Sequence, residues 1–375
     1  MKGRIRRRAS DWDRFAHWAP GAAWLMLAAF SALLVGAALT ERSAIYDAAP
    51  RVSSPVASTA PATSAGAEAA PGRDTDLQLY DVIAERVRAG DNYYQAAVEE
   101  QRARGFPVRP GLAVRLPTLA HVHAAVGPYG LMVLAALLGI GTLVAWHYRL
   151  RDISGTTNKL RIILLLVVIG AVMGLKPQYL ALHEVWSGML IALALGLYRP
   201  RRWWPALIAG ALALAVRELA LPFVLLMGAL ALLRGNRGEA LAWGAVIALF
   251  GAGLVAHLGQ VAQFTTPADP EGPNWFALRG LGGVTSNVAL SSPLYLLPGW
   301  LAAPLALLPL LGWAGWRTRF GETGFLLCAG YSLLFAIAGR DNNFYWALMV
   351  MPVWFVGLAF VPRALASLWA SARGN

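Results

Sequence analysis

The chain has 375 residues, of which 57% are hydrophobic and only 14% charged, and its formal net charge is +12. A mean hydropathy of +0.52 over that length excludes an ordinary soluble domain and points to a membrane protein. The basic residues fall in small clusters between apolar runs, as topogenic charges do, which argues against a nucleic-acid partner. The one cysteine, Cys328, lies inside an apolar run, so no intramolecular disulfide is available.

The N-terminus (residues 1–17) carries Lys2, Arg4, Arg6, Arg7, Arg8 and Arg14, which should hold it in the cytoplasm. The first apolar run, 18–39, exceeds a typical signal-peptide core of about 7–15 residues. A transmembrane helix is therefore favoured over a cleaved signal. Further spans are expected at 120–146, 160–175, 180–197, 203–217, 219–233, 239–257, 293–315, 323–338 and 344–361. Every second connection is basic: Arg149, Arg151, Lys159 and Arg161; then Arg199, Arg201 and Arg202; then Arg234 and Arg237; then Arg317 and Arg319. The fold class expected is all-α: a single polytopic membrane domain, 1–375, of about ten spans, with both termini cytoplasmic.

The first extracytoplasmic loop, 41–119, has two parts. Residues 47–72 are Ala, Pro, Ser, Thr and Gly with little bulk, and read as a linker. Over 74–104, Leu77, Tyr80, Ile83, Ala84 and Val87 recur at helical spacing, Gly90-Asp91-Asn92 breaks the pattern, and a second helix follows. Such amphipathic helices are expected to lie on the bilayer with their apolar side down. A second extracytoplasmic loop is expected at 258–292. The Trp residues, among them Trp18, Trp146, Trp203, Trp204 and Trp316, read as an interface belt.

Ionisable groups at the ends of spans are costly and mark functional sites. On the extracytoplasmic side they are Lys176, His183-Glu184, Arg217-Glu218 and Arg340-Asp341, with Tyr345 close behind, whereas the other side shows only basic anchors. No Walker loop, dinucleotide-binding glycine turn or His-Glu-x-x-His zinc helix occurs.

Asp76, Tyr80 four residues on, Ile83-Ala84, and the pair Gly90-Asp91 resemble the first-loop motif of the GT-C superfamily. That group includes protein mannosyltransferases and aminoarabinose transferases, polytopic enzymes of the outer or lumenal membrane face. The resemblance implies a glycosyltransferase that takes a polyprenyl-phosphate-linked sugar as donor, in a bacterial inner membrane. It implies Asp76 as base, with Asp81 the nearby alternative, and Arg115, Lys176, Arg217 and Arg340 as phosphate-binding cations. His183 and Glu184 would position the acceptor or hold a divalent cation; Glu218, Asp341 and Tyr345 would complete the substrate site. Tyr93, Tyr94, Trp275 and Tyr345 would stack on sugar or line a lipid groove. Leu77 stands where the superfamily has a second acid, which puts a family-type metal site in question. A lipid-linked sugar flippase and a non-catalytic envelope-assembly subunit are the alternatives.

Overall fold

The computed structural model describes residues 13–40, 75–151, 157–272 and 274–374, and of Thr40, Thr75 and Asp76 the backbone alone. Among these residues the regular structure is helical, with isolated β-bridges such as that between Arg109 and Glu271. The α-helices of more than two turns are α1 Pro20–Thr40, α2 Thr75–Arg88, α3 Tyr93–Ala103, α4 Thr118–Leu150 and α5 Thr157–Ala171. They continue as α6 His183–Leu197, α7 Trp204–Val216, α8 Leu221–Leu233 and α9 Arg237–Phe264. The last are α10 Gly280–Leu290, α11 Gly299–Gly315, α12 Arg319–Ile337 and α13 Val361–Ala372. Five stretches are long and apolar enough to cross a membrane: Pro20–Leu39, Gly111–Leu150, Arg237–Phe264, Arg319–Ile337 and Met351–Ala372. Shorter apolar helices, including His183–Leu197, Trp204–Val216, Glu218–Leu233 and Gly299–Gly315, lie between them. At a rise of about 1.5 Å per residue each falls short of about 30 Å of hydrocarbon.

The chain forms two compact units, one of Met1–Tyr46, Leu150–Val172 and Ala277–Asn375, the other of Asp47–Arg149 and Met173–Phe276. In the first, backbone meets backbone through glycine. A Cβ on Gly312 would stand 1.8 Å from the Gly357 carbonyl oxygen, and one on Gly170 would stand 2.0 Å from that of Met351. Small residues allow this close approach, which in hydrocarbon must replace the hydrophobic effect as the source of cohesion. Residues 341–360 wind largely as 3-10 helix rather than the continuous span expected at 344–361. The amphipathic α13 follows, and its Ala364, Leu368 and Ala372 pack with Phe15, Ala23 and Leu311. Trp316 is fully buried here, its ring 4.3 Å from that of Phe360. In the other unit Trp146 is also fully buried and donates its indole N–H to the Ala192 carbonyl at 2.9 Å. Neither belongs to an interface belt, since each packs within its own unit.

The second unit revises the expected loops. Helix α9 runs to Phe264, and α10, in the first unit, occupies 280–290, so the connection expected at 258–292 narrows to 265–279. Glycine lets α10 pack closely: a Cβ on Gly283 would meet the Phe335 carbonyl at 2.4 Å. Packing overrides helix propensity there.

Helices α2 and α3 do not present their apolar side to lipid. Leu79, Ile83, Tyr93, Ala97 and Val98 form a buried cluster with Val108, Val114 and Val261 of α9. The helices are thus a cap on the unit. Two devices fix it. Asn92 caps α3, accepting from the Tyr94 and Gln95 amides, after Gly90 turns the chain at φ 102°. Arg86 then ties both helices together through Asp91 at 2.7 Å, Glu99 at 2.7 Å and Glu100 at 3.0 Å. Asp91, first of all, raises the pKa of that guanidinium, which stays charged throughout.

Arg88 docks the cap on α4. Pro128 has no N–H, so the Ala124 carbonyl loses its helical donor where α4 kinks at Gly127 (φ 71°). Arg88 supplies the missing donors, with Nε 2.8 Å from Ala124 O and Nη2 3.1 Å from His123 O. Gly127 leaves the approach open, since its Cβ would stand 3.3 Å from Arg88 Nη2.

Candidate functional site

The start of α4, the start of α6, the end of α7 and the last third of α9 meet beneath the cap in the second unit. Thr118 marks the junction, its hydroxyl donating to the Ala215 carbonyl at 2.6 Å. Helix α7 stops at Arg217, which turns to an extended backbone and starts a single 3-10 turn, Glu218–Ala220, before α8. Pro222 at the second position of α8 fits there because the first-turn N–H groups have no helical acceptor.

Arg217 is the centre of the site. Its side chain is 1% exposed, and its Nε donates to Glu184 Oε1 at 2.7 Å. Its Nη1 donates to Glu218 Oε1. Glu184 is as buried as the arginine, whereas the Glu218 side chain is 21% exposed. Glu184 and the Arg217-Glu218 pair, which the sequence placed on separate connections, therefore form one ion triad. A guanidinium shared by two carboxylates leaves the triad with a net negative charge, so Arg217 positions the two acids and is not itself an open anion clamp. The second cation is Arg115, half-buried, whose Nε donates to Tyr80 Oη at 3.2 Å and whose carbonyl accepts from Tyr93 Oη at 2.6 Å.

His183 lies between these groups. It is 3% exposed, its ring 5.3 Å from that of Tyr80 in an edge-on arrangement. Neither ring nitrogen completes a hydrogen bond among the described residues, although the Leu116 backbone is close by. A cavity of about 10 Å³ opens between Tyr80, Ile83, Tyr93, His123 and His183. That is about the space of one water, and the lining is polar enough to hold it.

Asp81 sits at the edge of this cluster, its Oδ1 4.0 Å from His123 Nδ1 and its side chain 25% exposed. Asp76 lies in the first turn of α2 and its side chain is outside the described residues. Asp91, the acid of the Gly-Asp pair, is taken up by Arg86. Tyr93 is buried with its hydroxyl committed to Arg115, and burial raises its pKa far above the phenol range. It cannot stack on a sugar. Tyr94 packs its ring 5.5 Å from that of His257.

Three histidines of this unit escaped the sequence reading. His123 faces Asp81 and lines the cavity; His121 lies 5.9 Å from the Tyr93 ring; His257 holds the Val114 carbonyl through Nε2 at 3.2 Å. Their signal was visible: polar rings in otherwise apolar helices are expensive unless used. Lys176 precedes the 3-10 turn Pro177–Tyr179 and is half-buried. Among the described residues no group of three or more His, Cys, Asp or Glu side chains could hold a metal ion.

Arg340, Asp341 and Tyr345 belong to the first unit. Asp341 is 96% exposed and accepts from Arg279 Nη2 at 3.2 Å. The Arg340 amide donates to the Asn343 side-chain oxygen at 3.0 Å, and Asn343 Nδ2 donates to Tyr345 Oη at 3.1 Å. The hydroxyl of Tyr345 is thus engaged within its own turn. Comparison of the chain with family models, with curated proteins and with solved structures returns no match.

Proposed function

We propose that the protein is an integral-membrane glycosyltransferase of GT-C type, moving a sugar from a polyprenyl-phosphate carrier to an acceptor on the extracytoplasmic face of a bacterial inner membrane. The observation that carries this reading is the buried triad Glu184–Arg217–Glu218, set beside Arg115 and His183 under the amphipathic cap. Ionisable groups in such a place are expensive, and a purely structural helix hairpin needs none of them. The alternation of basic and neutral connections supports about ten membrane segments, five of them long enough to cross unaided, with both termini cytoplasmic.

In this reading the acceptor hydroxyl attacks the anomeric carbon, the bond from that carbon to the phosphate oxygen breaks, and the phosphate leaves on its lipid. A carboxylate takes the hydroxyl proton: Asp76, or Asp81 one turn further along α2. Arg115 and Lys176 meet the charge that builds on the departing phosphate. Arg217 fixes Glu184 and Glu218, and Glu218, the more exposed acid, faces the acceptor. With one base and no second nucleophilic carboxylate the transfer inverts the anomeric centre.

The test is donor turnover in proteoliposomes holding a radiolabelled polyprenyl-phosphate sugar, with membrane extract as acceptor. The expected result is release of polyprenyl phosphate with label in the acceptor fraction. Asp76→Asn or Asp81→Asn should cut that rate by about 10²–10⁴-fold, the usual worth of a general base. Near-normal turnover in both variants would overturn the assignment of the base. Label crossing the bilayer with the donor intact would favour a lipid-linked sugar flippase instead.

A further inference from the structure

The outer side of α13, in the first unit, carries a groove whose two ends differ in polarity. The helix packs Ala364, Leu368 and Ala372 against Phe15, Ala23 and Leu311, and leaves Leu365 and Trp369 open on its other side. Arg373 lies over the Trp369 ring, 4.5 Å from its centroid, and Trp24 of α1 meets the same ring edge-on at 5.6 Å. An amphipathic helix that shows leucine, tryptophan and arginine together suits the level of the lipid headgroups. Here a cavity of about 460 Å³ opens, lined by Asp13, Ala16, Arg363, Ala366, Ser367 and Ala370. It falls within the range of about 300–1,000 Å³ that holds small organic ligands.

Arg363, then Ala366 with Ser367, then Ala370 occupy successive turns on one face of α13. The groove is thus charged at its Arg363 end and lined by small side chains over the two turns that follow. An amphiphile lying along the helix has the same order of polarity. The charged end is a dipole in its own right: Arg363 Nε donates to Asp13 Oδ1 at 2.7 Å, and Nη2 donates to Oδ2. These bonds use two of the five guanidinium N–H groups and leave lone pairs on both carboxylate oxygens. The pair is net neutral and reaches solvent through Arg363, so it matches a ligand of both signs better than one that is only anionic. Ser367 is buried and its hydroxyl completes no hydrogen bond among the described residues, so a turn about χ1 toward the cavity forfeits none.

We propose that this groove binds a membrane glycerophospholipid with a phosphoethanolamine headgroup. The phosphate meets the remaining donors of Arg363, the ammonium donates to Asp13, and an acyl chain runs over Ala366 and Ala370. Ser367 donates to an ester carbonyl, the acceptor that a glycerolipid presents between headgroup and chain. A second copy docked antiparallel on α13 would instead set charge against alanine. The bound lipid ties the segment before α1 to the C-terminal helix. This goes beyond the glycosyltransferase reading and does not depend on it.

The test is native mass spectrometry of the full chain, delipidated in detergent and titrated separately with phosphatidylethanolamine, phosphatidylcholine and phosphatidylglycerol. Phosphatidylethanolamine should bind most tightly, because choline has no N–H to donate and glycerol no positive charge. Asp13→Asn should weaken its binding about twofold to fivefold, the weight of an exposed ion pair, and leave phosphatidylglycerol no weaker. Asp13→Arg together with Arg363→Asp keeps the pair and its net charge but reverses its direction. Thermal unfolding should then move little, while the preference for ethanolamine is lost. Ala370→Phe fills the groove and should remove the bound lipid. Equal affinity for the three lipids, tightest binding of phosphatidylglycerol, or adducts that Ala370→Phe leaves unchanged overturn the proposal. A dimer that Ala370→Phe abolishes, with no preference among lipids, assigns the groove to a second copy and overturns it too. Should the exchanged chain fail to fold, Asp13→Asn decides alone, and unchanged affinity for phosphatidylethanolamine sinks the idea.

Discussion

Arg217 shows how much one side chain can govern here. It is buried beside a carboxylate as buried as itself, so removing it strands Glu184 as an uncompensated charge. Arg217→Ala should therefore destabilise the protein by about 3–5 kcal/mol, the usual cost of breaking a buried pair from one side. Glu218→Gln should cost much less, because Glu218 reaches solvent and Arg217 keeps Glu184. Thermal unfolding in detergent separates the two; equal losses would show that Glu184 is not the principal partner. At this scale four residues that the sequence set apart come together in the structure. Arg217, Glu218, His183 and Glu184 stood out as ionisable groups at the ends of apolar runs, and they converge. Their pairing was hidden, since a sequence does not say which helix end meets which. Tyr93 was misread for a related reason: an aromatic residue on a loop helix has the same letter whether it meets sugar or protein.

Among the elements, the cap and the connection 265–279 hold each other. Arg102 of α3 grips Asp269 with Nε at 2.7 Å and Nη2 at 2.9 Å, and also donates to the Phe264 carbonyl at 3.1 Å. Arg102 first, and then the Thr266 amide, lowers the Asp269 carboxyl to a pKa of about 2. A depressed carboxylate pKa contributes stability that is fully present above its unfolded value of about 3.9 and is lost as pH falls through the folded one. The connection should resist limited proteolysis at pH 4 as it does at pH 7, and become sensitive only as pH approaches 2. Pepsin, active between pH 4 and pH 2, provides the assay over the acidic part of that range; release already at pH 4 would show that the Arg102 grip does not hold Asp269 in solution. The helical periods of α2 and α3 were legible from Leu77 to Val87 and from Tyr93 onward. What covered their apolar face was not, because lipid and a protein wall select the same residues. The last turns of α9 and the whole of α10 were missed for a converse reason, since both are shaped by neighbours distant in sequence.

For the molecule as a whole, the distribution of arginines makes a topological prediction. In a Cys328→Ser background, single cysteines introduced at exposed positions near Glu85 and Asn274 should react with impermeant maleimide from outside intact spheroplasts. Cysteines near Arg201 and Gly235 should react only after the membrane is opened. Labelling of Arg201→Cys from outside would reverse the orientation and remove the proposed site from the extracytoplasmic face. The membrane class was plain from composition alone, whereas the division into two units, each assembled from separated stretches of chain, left no trace in it. That division bears on biogenesis through the cap. Leu79 and Val98 leave the ribosome long before Val261, the α9 residue that closes their core. Until α9 has been made, the cap has an apolar side without the Val261 wall it rests on. It becomes an architectural part only when its late partner arrives. A chain interrupted before Arg237 would lack Val261 and leave that side of the cap uncovered.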